Sequence, residues 1–216
     1  MFQAFLDALP AKVPDLRMHP LDHVLAHVPI PAGAILECGV FSGKSVTKIA
    51  LRVPGRVVHG FDSFEGLPES WGRPDMVFDA GAFDVGKKLP AVPANVTLVA
   101  GWFDATLPAF AATLAATGET IALLHVDCDI YSSTKCIFDV LGPHLASGSL
   151  IVFDELFNYP SFEKHEILAF HQYLAGSAFD VEWIGKHGPV DLRPVRDNGY
   201  FDQPAALRLV AKCASA

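Results

Sequence analysis

Apolar runs of six or seven residues recur along the chain, separated by stretches long enough for helices. The runs are "AILECG" (34–39), "RVVHGFD" (56–62), "NVTLVAG" (95–101), "IALLHVD" (121–127) and "SLIVFD" (149–154). They are apolar at nearly every position, which predicts strands buried on both faces; a strand with one wet face would alternate. Segments 43–52, 106–117, 134–145 and 162–174 predict helices between or after them. Strand–helix alternation of this kind predicts an α/β fold with a doubly wound, mostly parallel sheet and right-handed crossovers.

The end of the chain reads differently. "FDVEWIG" (179–185) and "AALRLVAK" (205–212) are strand-like with no helix between them, and the connection holds "RDNGY" (196–200). Asn-Gly favours chain reversal, so an antiparallel C-terminal strand closes a sheet of seven. No repeat, low-complexity tract or linker interrupts the pattern. One domain over 1–216 is expected, opening with a helical segment at 1–30.

Composition narrows the class. A 216-residue chain that is 51% hydrophobic can bury a full core. The net charge is −8 and the basic residues are scattered, which argues against a nucleic-acid partner. "MFQAFLDALP" lacks a basic leader region and no run of about eighteen apolar residues occurs, which argues against a membrane partner. Cys38, Cys128, Cys136 and Cys213 form no C-x-x-C pair and read as reduced thiols of a cytoplasmic protein.

Four predicted strands end in or beside a carboxylate: Glu37, Asp62, Asp127 and Asp154. Ligands of open α/β sheets bind beyond the carboxyl ends of the strands. Each acid alone reads as a loop residue or helix cap; the coincidence of four points to a site. The loop "ECGVFSGKS" (37–45) offers Gly39 and Gly43 for close backbone approach ahead of a helix N-terminus. It is one residue short of a phosphate-binding P-loop, and Phe41 stands where a dinucleotide fingerprint needs glycine. Asp62 follows Gly39 by 23 residues, close to the spacing of an acid that binds ribose hydroxyls. Asp127, Asp154 and Glu155 form a second constellation that suits Mg²⁺. The competing reading of "FDEL" (153–156) is a charged pair opening a loop.

"ECGVFSGKS", "HGFDSFEGLPE", "GWFDATLP", "HVDCDIYSST" and "GSLIVFDE" together resemble the motifs of the macrocin O-methyltransferase-like family over about residues 34–170. The resemblance implies a class I methyltransferase fold, S-adenosyl-L-methionine and Mg²⁺ as cofactors, and a small hydroxylated acceptor such as a natural-product sugar. It further implies that Glu37 and Gly39 hold the methionine end, with Phe41 and Ser42 of the same loop among the cofactor-binding positions. Asp62 and Ser63 would meet the ribose, with Gly101 and Trp102 beside the adenine. Asp127, Asp154 and Glu155 would bind the metal, and Asp127 or Asp129 would serve as base. A metal-dependent hydrolase using the same carboxylates and a non-catalytic binding protein remain as alternatives. A homodimer burying the N-terminal helix is compatible with the sequence. His125 reads as a hydrogen-bonded core residue, His23 and His27 as packing or surface residues, and segment 66–93, with Trp71 and Phe78, as a wall over the site.

Overall fold

The apolar runs all become strands of one mixed sheet, four of them inside it and the run 95–101 at one edge, where it is only partly buried. The computed structural model describes residues 1–74, 76–187 and 203–212. In chain order these form α1 (Phe2–Lys12), β1 (Asp15–Leu16), α2 (Pro20–His27), β2 (Ala34–Cys38), α3 (Lys44–Arg52) and β3 (Val58–Asp62). A short β4 (Trp71–Gly72) and β5 (Val77–Phe78) follow, then β6 (Val96–Ala100), α4 (Phe103–Thr117), β7 (Ile121–Val126) and α5 (Tyr131–Leu141). The chain continues with β8 (Leu145–Phe157), α6 (Glu166–Gly176), β9 (Phe179–His187) and β10 (Gln203–Ala211).

The strand order is β1-β9-β10-β8-β7-β2-β3-β6. Neighbours run parallel except at β10, which is antiparallel to both β8 and β9. The sheet therefore has eight strands where the pattern predicted seven. The addition is β1, whose two residues are too few to leave a periodic signature. The "RDNGY" turn and Cys213 lie outside the described residues.

Two helical layers cover the sheet, and alternation along each strand assigns side chains to them. Leu36, Cys38, Leu124, Val126, Ile151 and Phe153 pack in the cluster that includes residues of α1, α4, α5 and α6. Ile35, Leu123, Leu150 and Val152 point the other way, into the cluster with α2 and α3. The second layer places Glu37, His125 and Asp154 on the α2–α3 side and Glu155 on the α5–α6 side, which decides the geometry of the site.

Helix ends follow local chemistry. The predicted helix at 134–145 instead spans Tyr131–Leu141 and stops at Gly142-Pro143, because proline cannot donate to a helix. The C-terminal end of α3 is tied to the loop before β6: Asn95 Nδ2 donates to the carbonyls of Ala50, Val53 and Arg56 at 3.0, 3.3 and 3.1 Å. Asn95→Ala leaves these carbonyls without their donor and is expected to cost about 1–2 kcal/mol in urea unfolding.

Candidate active site

The loop between β2 and α3 is shaped by glycine. Gly39 has φ +96°, and a Cβ there would stand 1.6 Å from the backbone oxygen of Asp127. The approach is close because the chain is pinned on both sides. Gly39 N–H donates to Phe61 O, and Asp127 N–H donates to Cys38 O, each at 2.9 Å. Gly43, at φ +79°, then turns the chain into α3.

Asp62 holds this loop from β3. Its Oδ2 accepts the N–H groups of Val40 and Phe41, both at 2.7 Å, and its Oδ1 accepts that of Phe64 at 2.6 Å. A carboxylate offers about four lone-pair sites, so Asp62 keeps capacity for one hydroxyl. Ser63 is already engaged in the next turn, where Oγ donates to Gly66 O at 3.1 Å and accepts from Glu65 N–H at 3.0 Å.

Beyond the strand ends lies a cavity of about 640 Å³. Of the residues expected to bind a cofactor, Gly39, Phe41, Asp62, Ser63 and Trp102 line it; Glu37, Ser42 and Gly101 do not. Gly101 acts one step back, donating its N–H to Asp62 O at 2.9 Å and leading into Trp102, the N-cap residue of α4. Sequence reasoning missed Phe103, Asp104, Ser132, Ser133 and Cys136, which also line the cavity from the first turns of α4 and α5. Segment 66–93 does supply a wall, through Gly66, Leu67, Pro68 and Phe83. Trp71 is buried behind it, stacked on Phe78 with centroids 5.3 Å apart and edge-on to Tyr159 at 5.7 Å.

The acids divide into two groups that share Asp127. Oxygens of Asp127, Asp129 and Glu155 lie within 4.8 Å of one another, and all three residues line the cavity. On the other side, Asp127 lies within the same limit of His125 and Asp154. The three residues expected to bind metal are thus not one trio among the described residues. The sequence reading ended the strand at Asp154, whereas β8 continues to Phe157. Adjacent residues within a strand face opposite sides, so Asp154 and Glu155 diverge. Asp129, expected as a base, stands in the cavity trio at φ +67°, a left-handed conformation rarely held without glycine.

Burial and then the charge of Asp154 push Asp127 well above the usual carboxylate range. Burial and then Asp129 do the same to Glu155, whose Oε2 is buried without a partner. Three crowded carboxylates, one with an orphaned oxygen, fit a hard divalent cation: it prefers oxygen ligands and offsets the repulsion that keeps such groups protonated.

Glu37 proves to be a core residue. It is fully buried, and β2–β7 register sets it beside His125, whose Nδ1 lies 2.7 Å from Glu37 Oε1. Burial alone would lower the His125 pKa, but the hydrogen bond and charge of Glu37, helped by Asp127 and Asp154, carry it up to about 9. Asp154 Oδ1 lies 3.4 Å from His19 Nε2 and 4.0 Å from His125 Nε2, the latter beyond hydrogen-bond reach. Burial opposes its ionisation, but His19, His125 and Lys48 outweigh this and leave its pKa below the usual range. His19 Nδ1 accepts the Leu21 N–H at 3.3 Å, which leaves the ring proton on the nitrogen facing Asp154. His23 and His27 pack against each other along α2 with their rings tilted and centroids 5.0 Å apart, away from the cavity lining.

Comparison with known proteins places the chain among methyltransferases. A methyltransferase 4′-O-methylating 8-demethyl-8-(2,3-dimethoxy-alpha-L-rhamnosyl)-tetracenomycin-C, from Streptomyces olivaceus, is 32% identical over 143 residues, which make up 57% of this chain. The chain spans about half (52%) of the length of that curated relative. The crystal structure of CalS11, a calicheamicin methyltransferase, superposes with a TM-score of 0.59 at 26% identity, covering 96% of this chain and 85% of that one. The O-methyltransferase NovP shares the fold, with a TM-score of 0.52 at 19% identity over 88% of this chain and 76% of that one. Residues 36–156, from β2 through most of β8, match the family described as a methyltransferase domain, and the chain belongs to that family.

Proposed function

We propose that this protein transfers the methyl group of S-adenosylmethionine to a hydroxyl of a small natural-product acceptor, a sugar hydroxyl, with the assistance of Mg²⁺. The observation that carries the reading is the placement of the Asp127–Asp129–Glu155 trio on the same cavity as the Gly39 loop and Asp62. The names of the rhamnosyl-tetracenomycin enzyme and the calicheamicin enzyme support the acceptor class.

Each residue has a distinct task. The Gly39 turn, which carries no side chain, leaves room for the amino-acid end of the cofactor against the backbone at the carboxyl end of β2. Asp62 accepts from a ribose hydroxyl with its remaining lone pair, and Trp102 and Phe103 offer aromatic surface to the adenine. When bound, S-adenosylmethionine supplies an electrophilic sulfonium methyl. Asp127, Asp129 and Glu155 would hold Mg²⁺, which when bound supplies the charge that lowers the pKa of a coordinated hydroxyl. Asp127 or Asp129 would take the acceptor's proton. Leu67, Pro68 and Phe83 form an apolar wall on one side of the cavity.

The test is calorimetric titration of S-adenosylhomocysteine into chelator-treated protein, repeated with Mg²⁺. Binding near micromolar, worth about 8 kcal/mol, is expected with or without the metal, together with a separate Mg²⁺ heat. No S-adenosylhomocysteine binding under either condition would overturn the reading and favour a metal-dependent hydrolase built on the same acids.

A further inference from the structure

Between Asp127 and Asp129 stands Cys128, which also lines the cavity, and its buried thiol meets a carboxyl group that no step above uses. Glu166 opens α6, is fully buried, and has its Oε1 3.7 Å from Cys128 Sγ and 3.4 Å from Thr134 Oγ1. Thr134 Oγ1 in turn lies 3.3 Å from Cys128 Sγ and donates to Ile130 O at 3.0 Å. These contacts close a ring around the 127–130 turn from beneath. The turn needs support: Asp129 sits in left-handed backbone, and the Ile130 N–H folds back on Cys128 O at 2.7 Å.

We propose that Glu166 is a positioning residue. By gripping Cys128 and Thr134 from α6, it fixes the turn that carries Asp127 and Asp129 and so sets their separation from Glu155. The inference rests on the proposed cation site but assigns a role to a group outside it. A buried acid opening a helix would otherwise cap its own first turn. Here Oε1 instead accepts from the Cys128 thiol in the β7–α5 connection and contacts the Thr134 hydroxyl in the first turn of α5, on a different part of the chain. Groups that orient metal ligands typically change metal affinity by 10–100-fold when lost, and Glu166 would act through Cys128, the chain neighbour of two of the three proposed ligands.

The experiment measures Mn²⁺ binding by electron paramagnetic resonance and S-adenosylhomocysteine binding by calorimetry in the full chain. In Glu166→Ala, Mn²⁺ binding is expected to weaken about tenfold or more while S-adenosylhomocysteine binding stays within about threefold. Glu166→Gln keeps an acceptor oxygen at the same place and should restore Mn²⁺ affinity to within about threefold of wild type. Should Glu166→Ala fail to fold, Cys128→Ala, which removes the gripped thiol and leaves the carboxyl, is expected to give the same selective loss. Wild-type Mn²⁺ affinity in whichever of these two variants folds overturns the positioning role, as does an equal loss of both ligands. A wild-type protein that binds S-adenosylhomocysteine but no Mn²⁺ overturns the cation site itself, and the positioning role with it.

Discussion

Asp127→Asn is expected to slow methyl transfer by about 10³-fold or more while leaving S-adenosylhomocysteine affinity within about threefold. Asp127 belongs to both acid groups, so its side chain is the point at which the cation trio and the His125–Asp154 pair meet. Asparagine fills the same space but cannot take a proton and is a weak cation ligand. The cofactor loop is spared because what Gly39 packs against is the backbone oxygen of residue 127, which the substitution retains. The same variant should be more stable than wild type in the absence of metal. Asp127 is pushed above its ordinary value by burial and Asp154, so its folded-state pKa exceeds its unfolded one. A group shifted this way costs stability increasingly as pH rises from the unfolded value through the folded one, and the cost is present in full above both. Removing the charge removes the cost, and the melting temperature should rise by about 2–4 °C for each kcal/mol relieved. Lower activity with higher metal-free stability is the signature of an acid kept for function. Full activity in this variant would sink the metal-site reading, and a fall in melting temperature would sink the account of its electrostatics.

Much of this was legible in the sequence, and the limits have physical causes. Runs such as 34–39 and 121–127 are apolar on both faces because helices cover both sides of the sheet, and they marked β2 and β7 to within a residue. The antiparallel pairing of 179–185 with 205–212 was legible from the lack of a helix-length pattern in the sequence between them. What failed was the handedness of individual side chains at strand ends. Glu37 was expected in the cofactor pocket, yet two-residue alternation from Ile35 and the register opposite His125 turn it into the core. The pairing of Glu37 with His125 depends on which strands are neighbours, and the order β7-β2-β3 is not written in local pattern. Asp154 and Glu155 were grouped because the strand was read as ending at Asp154. The three further residues of β8 separate them onto opposite faces. Glu166 left no signal, since an acid in the first turn of a helix is what the helix dipole favours in any case.

Gly39→Ala carries the largest structural penalty expected in the chain, more than about 4 kcal/mol. Two independent effects converge on it. The backbone sits at φ +96°, which an L side chain rarely adopts, and the new methyl would fall 1.6 Å from Asp127 O and 2.6 Å from its carbonyl carbon. Neither obstacle can swing aside, because both are backbone at the end of β7, held by the hydrogen bond from Asp127 N–H to Cys38 O at 2.9 Å. Relief would require β2 and β7 to part at their carboxyl ends, where the cavity is built. The expected result is a protein that unfolds at low urea, or that folds with S-adenosylhomocysteine binding lost. Gly55→Ala provides the contrast, since a Cβ at that exposed turn meets nothing within 4 Å and should change stability by no more than about 0.5 kcal/mol. If Gly39→Ala matched Gly55→Ala in both urea midpoint and ligand affinity, the close approach of the first loop to β7 would be refuted. The reading of that loop as the cradle of the cofactor would then lose its geometric basis.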